Sequence, residues 1–298
     1  MSSLLRLPAL LYLAGAVAAC RADRPSSDTD VAVPAASAAA AAVPAATVIA
    51  APITVTATDF KLDMPATVPA GVVSLRLVNT GKEMHQAQIV RLDQGKTVAD
   101  LESAMKHEGP PPPWLRFVGG PNGIAPGQEA TSMASLAPGS YALICLIPSP
   151  DGVPHLMKGM IQPFEVSAGG SEAALPVASD TVRLGDYSFD SARPITPGQH
   201  TFLVTNGGPQ PHELVLLRLA PGKTVQDFGA WATTGGMKGP PPALPLGGVA
   251  VLDHGNSGVF TADLTPGEYG MICFVPDAKD GKPHLMHGMM KQITVGQT

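Results

Sequence analysis

LAPGSYALICLIPSPDGVPHLMKGM, residues 136–160, occurs twice in this chain. The second copy, LTPGEYGMICFVPDAKDGKPHLMHGM, spans residues 264–289 and carries one extra residue in its loop. Both keep Leu, Pro-Gly, Tyr, Ile-Cys, Pro, Asp-Gly and Pro-His-Leu-Met-x-Gly-Met. Pro-Gly is a turn signal. In the alternation after it, Tyr141, Leu143 and Cys145 share one strand face, as do Tyr269, Met271 and Cys273. Each sulfur is therefore expected to point inward at the end of a core strand. The loop that follows carries His155 and Met160 in one copy, and His284 and Met289 in the other.

Working outward, the duplication extends over most of the chain. His85 in EMHQAQIVRL matches His212 in QPHELVLLRL. Each opens a strand on the face that holds Ala87 and Ile89, or Leu214 and Leu216, so each belongs at the rim of a core. Further upstream, Asp59-Phe60 matches Asp186-Tyr187. Turns are expected at Pro69 to Gly71 and at Pro197-Gly198, and strands over VVSLRLVNTG and HTFLVTNGG end at Asn79 and Asn206. Thr97 with Asp100, and Thr224 with Asp227, have capping-box spacing with Asp in place of Glu, so a short helix should follow each. Gly-Pro-Pro-Pro segments at Gly109 and Gly239 read as rigid connectors. MIQPFEV and MKQITV close the repeats as final strands.

The chain has 298 residues, enough for two domains. Its 32 Gly and 31 Pro against only 14% charged residues favour many short strands joined by turns. The 19 basic and 24 acidic residues show no run of like charge, which argues against nucleic acid as a partner. The first twenty residues read as a targeting segment. Arg6 precedes an apolar run, Leu7 to Ala19, that is too short to span a membrane. It ends in Val17-Ala18-Ala19-Cys20, which resembles a bacterial lipobox, with Cys20 as the lipidated residue. Residues 21–51 are expected to be a disordered Ala/Pro-rich tether. Cys145 and Cys273 then remain. They stand at equivalent core positions of two repeats, where a disulfide is not expected.

Each repeat thus supplies one thiolate, two imidazoles and one thioether. Alone, an inward Cys is usually a small hydrophobe, and a lone His or Met has an equally plain structural role. The set, its order and its duplication point instead to a soft transition metal, and copper suits two imidazoles and a thiolate with a weak axial Met. His107, His200 and His254 have no counterpart, and His287 aligns with Lys158; these four are read as surface residues. Gln86 and Glu213, next to the first His of each set, are candidates to hydrogen-bond the ligand loop. Met84, Met157 and Met286 are expected to pack.

His followed by a polar residue and a strand pattern, then Pro-Gly-x-Tyr leading to Cys, then Pro-His and four residues to Met, resembles the cupredoxins, the plastocyanin-like blue copper domains. The resemblance covers residues 52–168 and 176–298, with 169–175 as linker. It implies an all-β fold of two tandem Greek-key β-sandwich domains, each with a type 1 copper. It implies the ligands His85, Cys145, His155 and Met160 in the first domain, and His212, Cys273, His284 and Met289 in the second. One departure is the loop: nine residues separate Cys from His in the first copy and ten in the second, where plastocyanin-like loops have two. Copper nitrite reductase has a similarly long loop. Two-domain nitrite reductases and laccases also carry a His directly beside the Cys, to reach a second copper centre. Here Ile144 and Leu146 flank Cys145, and Ile272 and Phe274 flank Cys273.

The expected function is therefore a non-catalytic electron carrier with two coppers. It would be lipid-anchored in a bacterial envelope, on the outer membrane facing the periplasm, and would exchange electrons with redox protein partners. A periplasmic Cu(I) carrier or scavenger, and a cupredoxin-fold interaction module that has lost copper, are the alternatives.

Overall fold

A computed structural model of the chain describes residues 51–298 apart from 94, 107, 108, 110, 172, 173, 235, 236, 297 and 298. The targeting segment with Cys20, the tether up to residue 50, and His107 lie outside the described residues. The remainder is mostly β. The first repeat comprises β1 (Ile53–Thr58), β2 (Lys61–Asp63), β3 (Thr67–Asn79), β4 (Gln88–Leu92), α1 (Val98–Ala104), β5 (Leu115–Phe117), β6 (Glu129–Leu136), β7 (Gly139–Ile144) and β8 (Ile161–Ser171). The second repeats that order with β9 (Asp180–Gly185), β10 (Ser188–Ser191), β11 (Gly198–Asn206), β12 (His212–Leu219), α2 (Val225–Thr233), β13 (Ala243–Leu252), β14 (Ser257–Leu264), β15 (Gly267–Ile272) and β16 (Met290–Val295). Thr97 and Thr224 cap the two helices through complete capping boxes with Asp100 and Asp227, as the spacing predicts.

Alternation along the strands sets the cores. β11 buries His200, Phe202, Val204 and Asn206 and turns the residues between them outward. In the first repeat Leu75, Leu77, Ile89 and Leu143 pack with Cys145 and Met160. In the second, Phe202, Leu214, Leu216 and Met271 pack with Cys273 and Met289. His200 is thus a correction to the sequence reading: it is buried, not a surface residue. Its Nδ1 lies 2.6 Å from Asp180 Oδ2 and its Nε2 2.7 Å from the Thr196 carbonyl, so both polar ends of the ring are satisfied inside.

The expected turn at Pro69 to Gly71 is instead part of one long strand, β3. Thr67 to Pro69 pair with β8, while Gly71 to Val78 pair with β6. Gly71 (φ 102°) sits where the strand changes partner, a conformation that side-chain-bearing residues resist. β8 continues to Ser171, into the stretch read as linker. β4 begins at Gln88 rather than at His85, which makes a single bridge to Ile124.

The two repeats share a sheet. β14 pairs antiparallel with β6 (Val259 opposite Met133), so one twelve-stranded sheet runs β10-β9-β11-β14-β6-β3-β8-β7-β4-β5, with β1 and β2 branching from β3. β13-β12-β15-β16 form a second sheet. Segments 118–124 and 246–252 meet in an antiparallel ladder, with Val118 opposite Leu252, Pro121 opposite Val249 and Ile124 opposite Leu246. Two glycines let each segment lie close against the first-histidine strand of its own repeat. A Cβ on Gly120 would stand 2.2 Å from the Ala87 carbonyl oxygen, and one on Gly248 2.0 Å from that of Leu214.

Candidate metal centres

β7 lies between β4 and β8 and delivers Cys145 just past its last residue, with no solvent exposure. Tyr141 fixes the start of that strand by donating from its hydroxyl to the Ala137 carbonyl (2.9 Å); Tyr269 does the same to Thr265 (2.8 Å). The long loop then folds back on itself. His155 N–H donates to the Ile147 carbonyl (2.9 Å), Leu156 N–H to that of Cys145 (2.8 Å), and Met160 N–H to that of His155 (3.0 Å). A 3-10 turn over His155–Lys158 ends at Gly159 (φ 94°), which reverses the chain and drops Met160 into the core. The second repeat reproduces every one of these features, from His284 N–H on Val275 (2.9 Å) to Gly288 (φ 96°).

The first histidine of each set arrives from the turn after β3 or β11. Asn79 shapes the first turn by donating to the Glu83 and Ile124 carbonyls (2.8 and 3.1 Å), and Asn206 donates to those of Gln210 and Leu252 (both 2.8 Å). The outcome is convergence. His85 Nδ1 lies 3.1 Å from His155 Nδ1, and Cys145 Sγ lies 3.4 Å from His155 Nδ1. In the second repeat His212 Nδ1 lies 3.0 Å from His284 Nδ1, and Cys273 Sγ 3.5 Å from His284 Nδ1. All four rings and both sulfurs are fully buried, as are Met160 and Met289 in the same cores.

These donor sets fit a soft cation. His85 Nε2 faces Asp59 Oδ1 at 2.8 Å, His155 Nε2 faces Glu83 Oε2 at 2.9 Å, and His212 Nε2 faces Asp186 Oδ1 at 2.8 Å. Carboxylates accept, so each Nε2 carries the proton and each Nδ1 presents a bare lone pair. In the first repeat two such lone pairs then point at one another across 3.1 Å, an arrangement that a shared metal relieves. Burial pushes the His85 and His212 rings down in pKa, and takes His284 to about 4. Neutral imidazoles are the form that binds metal. Burial also pushes the Cys145 thiol up to about 12 and Cys273 further still, so without a cation both stay protonated. Asp59 stays ionised: burial opposes it, but the Lys82 and Glu83 amides and the His85 ring outweigh burial.

The structure brings together the Cys and both His of each predicted set and buries the predicted Met beside them. Glu213 does hydrogen-bond the ligand loop, accepting from Phe274 N–H at 3.0 Å. For Gln86 the contact is made by its backbone, whose N–H points at Cys145 Sγ (3.5 Å). Met157 and Met286 do not pack: they are 40% and 51% exposed. His254 and His287 are exposed, and His287 Nε2 lies 3.1 Å from Asp280. Asp59, Asp186, Glu83, Asn79 and Asn206 were missed as contributors. The matched positions of Asp59 with Asp186, and of Asn79 with Asn206, were the signal that could have found four of them.

The two centres differ beyond their first contacts. Gln210 stands in the place of Glu83, and Asp277 in the place of Ser149. Asp277 Oδ2 accepts from the Tyr187 hydroxyl and from Gln210 Nε2 (3.0 Å) and remains 3.8 Å from His284 Nε2, which has no hydrogen-bond partner among the described residues.

No protein-family model matches the sequence, and no curated protein matches it. Among solved structures, the chain is similar to a dithionite-reduced auracyanin from Roseiflexus castenholzii (23% identity over 39% of this chain and 95% of that one, TM-score 0.29). It is also similar to a copper nitrite reductase from Nitrosomonas europaea (13% identity, 83% and 94% coverage, TM-score 0.25) and to a multicopper oxidase (14% identity, 82% and 88% coverage, TM-score 0.23).

Proposed function

We propose that the chain is a copper-binding electron-transfer protein with one type 1 centre in each repeat. The observation that carries this reading is the convergence, twice, of two imidazole Nδ1 atoms and one thiol in a dry pocket. The ligands would be His85, Cys145, His155 and Met160, and His212, Cys273, His284 and Met289. Copper held there would supply one-electron exchange between Cu(I) and Cu(II). The chain's contribution is to hold three of the four imidazoles by their Nε2 partners, to keep water out, and to fix the loop by its backbone hydrogen bonds. With every candidate ligand side chain buried, a substrate would find no path from solvent to a metal held there, which supports a carrier rather than an enzyme. Lipid attachment at Cys20, a place in the envelope facing the periplasm, and redox proteins as partners complete the proposal.

One observation favours a second reading, delivery of Cu(I). The thioethers of Met157 and Met286 stand exposed at the ends of the two ligand loops, as soft donors accessible from solvent. Voltammetry of copper-loaded protein separates the two. An electron carrier cycles reversibly with an intense thiolate-to-copper colour in its Cu(II) state. A colourless protein that holds only Cu(I) would contradict the electron-transfer reading.

A further inference from the structure

Glu213 is a carboxyl group buried at the boundary between the repeats, where no basic side chain pairs with it among the described residues. It is covalently next to His212, and its Oε1 accepts from Phe274 N–H (3.0 Å), the residue after Cys273. It therefore touches both ligand-bearing segments of the second centre. Its Oε2 accepts from Asn122 Nδ2 of the first repeat (3.0 Å). Asn122 is 1% exposed and also donates to the Leu214 and Val249 carbonyls (3.3 and 3.1 Å). Two residues along the chain, Ile124 exchanges a pair of backbone hydrogen bonds with His85 (3.0 and 3.2 Å). The first centre is thus connected to the second by covalent bonds and two hydrogen-bonded steps, through a region closed to water.

The repeats supply an internal contrast. The counterpart of Asn122 is Ala250, and the counterpart of Glu213 is Gln86. The matching crossing therefore lacks this bridge. It is spanned instead by Gln88, whose side chain meets the backbone of Val251 through N–H to Oε1 (2.6 Å) and Nε2 to carbonyl (3.1 Å). That contact reaches Val251, whose neighbour Leu252 pairs with His212, so it enters the second centre through one ligand segment where Glu213 touches two. A buried carboxyl is expensive without compensation, and here its two oxygens are each matched by one donor.

We propose that Asn122 and Glu213 form the path by which an electron passes between the two centres. The proposal rests on the copper reading above. With copper held at both sites, one centre would be oxidised from Cu(I) to Cu(II) as the other is reduced from Cu(II) to Cu(I). No proton moves and no bond forms or breaks. Hydrogen-bonded and covalent contacts carry electronic coupling far better than an empty gap, so the Asn122 contact governs the rate. Asn122 and Glu213 are positioning and conducting residues, not ligands.

The test compares wild type, Asn122→Ala and Gln88→Leu. Metal analysis and visible spectra of Cu(II)-loaded protein come first. A wild type that fails to hold two coppers overturns the copper reading, and the bridge with it, before any electron is injected. With both centres loaded, one electron per molecule is delivered by pulse radiolysis, and equilibration is followed by freeze-quench EPR. Asn122→Ala should keep both coppers and slow equilibration by an order of magnitude, while Gln88→Leu leaves the rate unchanged. In metal-free protein, the Phe274 amide should exchange its hydrogen faster in Asn122→Ala, because Glu213 loses its anchor. An unchanged equilibration rate in Asn122→Ala, or an equal slowing in Gln88→Leu, would overturn the bridge even where the amide exchanges faster.

Discussion

Glu83 and Gln210 stand at matched positions in the two repeats, and only Glu83 reaches an imidazole, with its Oε2 2.9 Å from His155 Nε2. Gln210 turns instead to Asp186 (3.2 Å) and Asp277 (3.0 Å). A carboxylate on the far nitrogen makes the ring a stronger donor and favours the higher oxidation state of a bound metal. The first centre should therefore have the lower reduction potential. Glu83→Gln should raise that potential and weaken Cu(II) binding there by about 10–100-fold. Protein-film voltammetry and competition titration against a chelator would measure both, and two equal potentials in the wild type would contradict the argument.

The thiolates should be separable. Cys145→Ser should remove one copper and one thiolate band and leave the second centre intact, and Cys273→Ser should do the converse. Met160→Leu should keep the colour and raise the potential, because a thioether in the axial place is a weak donor. Metal analysis with visible absorption checks each variant.

The glycines at the boundary between repeats should tolerate nothing larger. At Gly120 the backbone is left-handed (φ 117°), and an added Cβ would overlap the Ala87 carbonyl. Gly120→Ala should destabilise the fold by about 2–4 kcal/mol, with Gly248→Ala similar, as strain and a main-chain clash combine. Denaturant unfolding of the full chain measures this, and a loss within experimental error would show that the main chain around Ala87 and Leu214 relaxes freely.

Acid stability should depend on the half-buried Asp180–His200 pair. Burial opposes ionisation of Asp180, but its contacts with Ser179 and His200 prevail and hold its carboxyl below the usual range. Its stabilisation is complete above the unfolded value of about 3.9 and is lost as pH falls below it. His200→Phe, stacked on Phe202 as His200 is, should flatten that acid limb. Thermal unfolding of metal-free protein between neutral and strongly acidic pH would show it, and an unchanged acid limb would remove Asp180 from the account.

What was legible in the sequence was local. Alternation placed Cys145 and Cys273 at strand ends, spacing found both capping boxes, and duplication singled out the His, Cys and Met sets. Contacts between distant segments were not legible. Nothing in the period of β6 or β14 says that Met133 lies opposite Val259. Pro69-Ala70-Gly71 has turn composition, yet the pull of two partner strands, β8 and β6, makes it the crossing point of one strand. His200 read as surface because it has no counterpart in the other repeat, although its place on the alternating face of β11 put it inside. Met157 and Met286 read as packing residues, but the 3-10 turns point them outward.

The proposed function requires each repeat to hold one copper through a buried thiolate and two imidazoles. Titration of Cu(II) into metal-free protein, read by EPR and visible absorption together, tests it most directly. The end point should fall at two coppers per chain, both with the narrow hyperfine splitting and intense absorption of copper bound to thiolate. An end point at one copper, or a second signal of ordinary nitrogen- and oxygen-bound Cu(II) that survives in Cys145→Ser and Cys273→Ser, would contradict it.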